Sequence, residues 1–421
     1  MRVRPIAGTA AAASLFLIAA CGSNSGSSEG GTGAPLEMWV RSTTAGESQA
    51  LVDAWNAQGG QQISLTAIPQ ENYLQRVSTA AGSGELPCLM ASDVVYMPNF
   101  IKNGLFTDIA ENVSTLPFAG KLAPGVMDLT TEGSSIFGVP HVVALSAIFQ
   151  NNLVLERAGI DPEAPITSLS DLAAKVTQVG ELGDDVIPLY FAGNAGNSIA
   201  FTHFPAIWAS GAEVISEDGS VSLLDSPEAA GVFEVFNELA SAGLVPVSAA
   251  SESGATRNEV FAQGNVAYML SSNGTVSAVG DAEGVELGVQ GIPGLTGGVS
   301  TFLGGDAIGV TAQCGDVAGA WDFLEWTVSE ETQVEIYAEK RMMLVRSDLA
   351  DNPVTAADPV AVKLNGLIEH GRPPYSLHFG QTFNDPNGPA LSALRQAIFE
   401  SDDVAATLAG LNPQISDSLA G

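Results

Sequence analysis

Residues 36–93 read LEMWVRSTTAGESQALVDAWNAQGGQQISLTAIPQENYLQRVSTAAGSGELPCLMASD, and this stretch switches repeatedly between two hydrophobic periods. Leu36 to Val40 reads as a strand. From Glu47 to Gln58, Leu51, Ala54 and Trp55 fall on one helical face. Gly59-Gly60 then stops the helix, since glycine accepts the left-handed backbone that closes helices. Ile63, Leu65 and Ala67 alternate as in a strand. A second helix through Tyr73, Val77 and Ala80 ends at Gly82, and Leu89 to Ala91 forms a short buried strand. Strand and helix in strict alternation imply a parallel sheet covered by helices, because parallel neighbours need a crossover connection.

The same grammar continues downstream. A strand is expected from Val142 to Phe149, then a helix from Asn152 closed by Gly159. Ser168-Leu169-Ser170-Asp171 has the form of a capping box. Ile187 to Phe191 and Val266 to Leu270 read as strands. Asp225-Ser226-Pro227-Glu228 opens a helix that runs to Ala242, with Pro at the first helical position. Ala307 to Ala312 is a further strand, followed by a helix over Asp316 to Thr327. The last part is mainly helical, near Asp358–His370, Pro389–Glu400 and Val404–Leu411. A chain of 421 residues exceeds one ordinary core and implies two domains.

Upstream of residue 36 the pattern differs. Arg2 and Arg4 precede an apolar run from Ala10 to Ala20 that is shorter than the roughly 20 residues a membrane span needs. It reads as a signal peptide, residues 1–20. Leu17-Ile18-Ala19-Ala20-Cys21 resembles a bacterial lipobox, which makes Cys21 the candidate lipidated residue. Residues 21–34 are almost all Gly, Ser, Asn and Thr, too polar to offset their ordering entropy, and read as a flexible tether.

Composition narrows the partners. The formal net charge is −32, with 47 acidic against 15 basic residues. Phosphate backbones are bound by clustered Lys and Arg, so nucleic acid is a poor partner. The acids are spread along the chain, which suits solubility. Cys88 and Cys314 form an even pair suited to an oxidising compartment; two buried thiols are the other possibility. From residue 36 onward the chain contains no G-x-S-x-G and no HExxH, and His141, His203, His370 and His378 are scattered. Paired carboxylates for glycoside hydrolysis stay open on the sequence alone.

Several motifs carry a resemblance. They are Leu36-Glu37-Met38-Trp39-Val40 with Gly46-Glu47, Asn72-Tyr73, and Gly84-Glu85-Leu86-Pro87. Further along come Asp93-Val94-Val95-Tyr96, Phe137-Gly138-Val139-Pro140, and Phe149-Gln150-Asn151 with Ala158-Gly159-Ile160. The closest match in pattern is Phe261-Ala262-Gln263-Gly264-Asn265-Val266-Ala267-Tyr268-Met269. Gly304-Gly305, Ala320-Trp321-Asp322-Phe323-Leu324 and Leu344-Val345-Arg346 complete the series. In this order they resemble the family 1 extracellular solute-binding proteins of ABC importers, which include maltose-binding and glycerol-phosphate-binding proteins. The departures are Cys88 in place of a common Asp, Asp306 after the double glycine, and Ser272-Asn273-Gly274 in place of a Gly-Pro-aromatic element.

The resemblance implies an α/β, two-lobed periplasmic-binding-protein-like fold of type II, each lobe a mixed sheet flanked by helices. The lobes would comprise 35–139 with 304–345, and 140–303 with 346–421. It implies a monomer that catalyses nothing, needs no cofactor or metal, captures a carbohydrate between its lobes and passes it to ABC permease subunits in the membrane. It also brings Cys314 opposite Cys88 as a disulfide, since the strand Ala307–Ala312 would return antiparallel to the third strand. Candidate ligand-binding residues follow the strand ends: Arg41, Ser42, Glu47, Gln70, Tyr73, Asp93 and Tyr96 from the first lobe. From the second come Asn194, Trp208, Asn273 and Gly274, with Gly305, Asp306 and Arg346 at the crossovers. The fold leaves a glycerol phosphodiester, an amino sugar or a polyamine as alternative cargo.

Overall fold

A computed structural model describes residues 33–421 apart from residue 281. The signal peptide, Cys21 and nearly all of the tether lie outside the described residues. β1 (Leu36–Arg41), α1 (Ala45–Ala57), β2 (Ile63–Ile68), α2 (Tyr73–Ser83) and β3 (Leu89–Asp93) follow the order read from the sequence. β1 pairs in parallel with both β2 and β3. α2 extends one residue past Gly82 and is closed by Gly84 at φ 75°.

Two strands are longer than expected. β4 (Val139–Asn151) has 13 residues, and all but one of them are buried. Helices α3 (Leu169–Gly180) and α4 (Gly196–Ala209), strand β5 (Ile187–Tyr190), helix α5 (Pro227–Ser241), strand β6 (Val266–Ser272), helix α6 (Gly274–Val279) and strand β7 (Leu287–Gln290) follow. β8 (Val299–Val310) then runs 12 residues, beginning well before Ala307. Gly304-Gly305 reads locally as a break, yet the strand passes through it with a bulge in its pairing to β4 between Asp306 and Ala307.

These two strands join the halves of the molecule. In the first half the order is β2-β1-β3-β8-β4, with β8 antiparallel to both β3 and the start of β4. In the second half the far end of β4 pairs with β6 and β7, and β5 lies parallel beside β6. The sheet is mixed, with parallel and antiparallel neighbours, as the resemblance implies. Helices α7 (Val317–Thr327), α8 (Pro389–Phe399) and α9 (Val404–Ala420) complete the principal elements.

Caps explain several boundaries. The Ser168 side chain accepts from Asp171 N, and Ser226, rather than Asp225, caps α5 by accepting from Ala229 N. Such a cap contributes about 1 kcal/mol. α9 continues past the expected end at Leu411 and through Pro413, because Ile415 and Leu419 bury their side chains beyond it. α4 was not legible: it carries Pro205 internally and is buried nearly all round, so no amphipathic period marks it.

Cys88 and Cys314 form a disulfide across a sequence separation of 226. β8 places them together, because Val310 pairs with Leu89 and Thr311 N donates to Cys88 O at 3.0 Å. Among the described residues no helix is long and apolar enough to cross a membrane.

Candidate functional site

The carboxyl ends of β1, β2 and β3 point the same way, so the residues just past them converge. Arg41 ends β1, Gln70 follows β2 and Asp93 ends β3. Asp306 on β8 pairs directly with Asp93 in the sheet. Its approach depends on Gly305, which has φ +100°; a Cβ there would collide with Val142 O. Only glycine fits that position, just before the pairing shifts.

Arg41 gathers these groups. Its Nε donates to Asp306 Oδ1 at 2.8 Å, and Nη2 donates to the same oxygen. Nη1 donates to Asp93 Oδ2 at 2.9 Å and to Gln70 Oε1 at 3.3 Å. Thr44 Oγ1 donates to the other oxygen of Asp306, and Val95 N donates to Asp93 Oδ1 at 3.3 Å. Burial opposes the Arg41 charge, but Asp306 and Asp93 outweigh it and hold the guanidinium pKa above its usual value. Burial raises the Asp93 pKa above the ordinary carboxylate range, with Arg41 acting the other way. Nearby on β4, burial pushes His141 down to about 4.

Above this cluster lies a crevice of about 780 Å³ between the two halves. Arg41, Thr43, Thr44, Glu47, Gln70 and Asp93 line it from the first half, and the chain at Val142–Ala144 and Gly304–Gly305 forms its floor. The second half contributes the start of α4 through Asn197, Ser198, Phe201 and Thr202. It also contributes the loop Ser253–Ala255 with Arg257, and Ser271–Gly274 at the end of β6. Phe302, Phe379 and Asn384 close one side. Phe201 and Phe302 have ring centroids 5.0 Å apart and present a joint apolar surface. A second chamber of about 450 Å³ adjoins the crevice beyond Glu47 and Asn273, lined also by Lys340, Arg341, Met342 and Met343.

The loop of the second half is held by Glu252. This buried carboxylate accepts from Gly254 N at 2.7 Å, Thr256 N at 3.3 Å, the Thr256 hydroxyl and Tyr190 OH at 3.3 Å. Burial would raise its pKa; the bonds from Thr256 and Gly254 prevail and lower it. Asn273 is likewise fixed, its Oδ1 accepting from Leu145 N at 2.9 Å.

Of the residues expected from the sequence, Arg41, Glu47, Gln70, Asp93, Asn273, Gly274 and Gly305 line the crevice. Asp306 does not reach it: it is fully buried, with both oxygens taken by Arg41 and Thr44, and acts as a brace. Tyr73 is fully buried and hydrogen-bonds Ala91 O at 2.8 Å and Ser92 Oγ at 2.6 Å, a core position. Tyr96 sits behind the wall, accepting from Asn384 Nδ2 at 3.1 Å, and burial, then Asp93, pushes its pKa up to about 12. Ser42 is exposed and accepts from Gln70 N at 3.2 Å. Asn194 is exposed and does not line the crevice, though its N–H donates to Glu252 O at 2.9 Å beside the lining loop. Trp208 packs on Phe302 at 5.7 Å and lines a separate pocket, with the Arg372 guanidinium 5.5 Å over its ring. Arg346 is buried in an ion pair with Asp348 at 2.6 Å and stacks 3.7 Å over Phe118, far from the strand ends.

Several lining residues were missed. Phe302 lies two residues before Gly304, on the same strand face, so the period of two marked it. Asn197 and Phe201 are one helical turn apart. Arg257 and the Ser253–Ala255 loop carry no periodic signal.

The matching family model describes bacterial extracellular solute-binding proteins and spans residues 50–362. The chain belongs to this family. No curated protein matches this solute-binding protein by sequence. Among solved structures, it is similar to the sugar-binding protein MalE from Xanthomonas citri, with TM-score 0.79 and 16% identity over 92% of this chain and 98% of that one. An ABC transporter solute-binding protein from Thermotoga lettingae TMO, bound with alpha-D-tagatose, gives TM-score 0.78 and 16% identity over 92% of this chain and 100% of that one. A cyclic alpha-maltosyl-1,6-maltose binding protein from Arthrobacter globiformis gives 0.74 and 20% over 92% and 100%. At these identities the likeness is one of fold, and it extends over nearly the whole solute-binding protein.

Proposed function

We propose that this solute-binding protein captures a carbohydrate in the crevice between its halves and delivers it to an ABC permease, and that it catalyses nothing. The observation that carries this reading is the make-up of the crevice. Its lining combines the polar side chains of Gln70 and Asn273, and of Asn197, Ser198 and Thr202 on α4, with an apolar surface made by Phe201 and Phe302. A sugar offers hydroxyls in several directions and flat patches of C–H, which such a lining matches. Proteins of the same fold include one bound with alpha-D-tagatose and a cyclic alpha-maltosyl-1,6-maltose binding protein, which favours this class of cargo.

Capture follows from geometry. Ligand contacts on both walls favour the state in which the walls are close, so binding shifts the population toward a closed form. The natural division is 35–139 with 304–345 against 140–303 with 346–421, hinged where β4 and β8 pass between halves. A lipid on Cys21, after removal of residues 1–20, would hold the monomer at the outer face of the membrane, with a tether reach of roughly 20 Å. Replacing Cys21 with Ser should release the chain into the medium; retention at the membrane contradicts the anchor.

A thermal-shift screen of the full chain with mono- and oligosaccharides, glycerol phosphodiesters, amino sugars and polyamines tests the cargo. Ligands that bind only the folded form raise the melting midpoint. A sugar that does so supports the reading; a response confined to polyamines or phosphodiesters refutes it.

A further inference from the structure

Two arginines line the crevice, and they are treated oppositely. Arg41 is held by Asp306, Asp93 and Gln70. Arg257 makes no ion pair among the described residues. Its Nη2 donates to Ser272 Oγ at 3.3 Å, and its buried Nε has no acceptor. The nearest acid, Glu252, lowers none of this cost by contact. Its oxygens are taken by Gly254 N, Thr256 N, the Thr256 hydroxyl and Tyr190 OH. These same bonds fold the loop beside Arg257, and Gly254 keeps that loop close: a Cβ there would stand 3.0 Å from Arg257 Nη1. Burial drags the Arg257 pKa below its usual value, and Glu252 only partly offsets it.

A guanidinium withdrawn from water without its hydrogen bonds is costly, and the fork geometry of its donors matches an oxyanion. We propose that Arg257 is the anchor for an oxyanion on the ligand, so that the cargo is an acidic sugar, bearing a carboxylate or a phosphate on a hydroxylated ring. This rests on the carbohydrate reading above and narrows it. The opposite wall fixes the orientation. Glu47 lines that side with no ion-pair partner among the described residues, and the Arg41 charge there is already taken by Asp93 and Asp306, so the neutral hydroxyls face that wall and the acid group lies against Arg257. Lys340 and Arg341 stand in the adjoining chamber rather than on the Arg257 wall.

The test is calorimetric titration of the full chain with three probe sets. These are neutral disaccharides, the same disaccharides oxidised to terminal uronates, and hexose 6-phosphates. At least one acidic probe should bind about 10- to 100-fold more tightly than its neutral counterpart, the worth of a charge-assisted hydrogen bond. Comparison of uronates with phosphates identifies which oxyanion is taken. In R257Q that preference should vanish, and R257K should recover part of it. The melting midpoint of ligand-free R257Q should equal or exceed that of the wild type, because the substitution removes a half-buried charge whose Nε has no acceptor. A purely structural arginine would instead lower it. Added salt should weaken the acidic probe and leave neutral ones unchanged. Neutral sugars binding as well as their acids, with R257Q unaltered, would overturn the inference and leave the carbohydrate reading standing. Silence from all three sets would overturn both.

Discussion

The two walls of the crevice handle charge in contrasting ways. On the first, Arg41 is locked between Asp93 and the fully buried Asp306, and the residue before Asp306 is Gly305, in a left-handed backbone that a side chain would block. On the second, Glu252 spends its hydrogen-bonding capacity on its own loop, and Arg257 keeps donors unused. The first wall is a finished structural network that presents one carboxylate edge and a row of polar groups. The second is a positioned cation with no ion-pair partner among the described residues. Residues of the same type, bordering the same space, therefore serve stability in one place and recognition in the other.

The sharpest way to break this contrast is to remove Asp306. D306A strands Arg41 with half of its compensation and should destabilise the fold by about 3–5 kcal/mol, the range for breaking a buried pair. Chemical denaturation would read it, and a loss no larger than that of R257Q would erase the distinction between the walls. Next in size is the disulfide, which ties β3 to the end of β8 in the first half alone. Reduction should cost about 2–4 kcal/mol, seen as a fall in the melting midpoint, with neither Cys88 nor Cys314 titratable before reduction.

A third prediction concerns the second half. His203 is buried among Phe191, Phe233 and Phe236, and burial pushes its pKa down to about 3 from the usual 6.5. The unfolded chain therefore takes up a proton near pH 6.5 that the native state refuses until about pH 3. Stability is full above pH 6.5 and declines as pH falls. H203F should flatten that decline by on the order of 2 kcal/mol between pH 6.5 and 5; an unchanged slope counts against it. The smallest effect belongs to Tyr73. Y73F removes the bonds to Ala91 O and Ser92 Oγ and should cost about 1 kcal/mol without changing ligand affinity, as a core residue requires.

The strand and helix order of residues 36–93 was legible because period two and period 3.6 are local properties. So were Arg41, Gln70 and Asp93, since strand ends can be counted. What could not be read is which of several polar residues the chain would bury. Asp306 follows the double glycine as a ligand contact would, yet Arg41 and Thr44 take its carboxylate, and Arg346 pairs with Asp348 instead of reaching the crevice. Trp208 followed α4, whose uniform burial and internal proline hide its helical period. Arg257 escaped notice because its importance lies in what Glu252 does not give it, a property of three-dimensional neighbours.

Solution scattering of the full chain, with and without a saturating sugar found in the screen, addresses the binding mechanism most directly. Walls that swing together around the guest predict a smaller radius of gyration in its presence. An identical envelope at saturation would mean that the halves do not move to hold it, and the capture mechanism would be wrong.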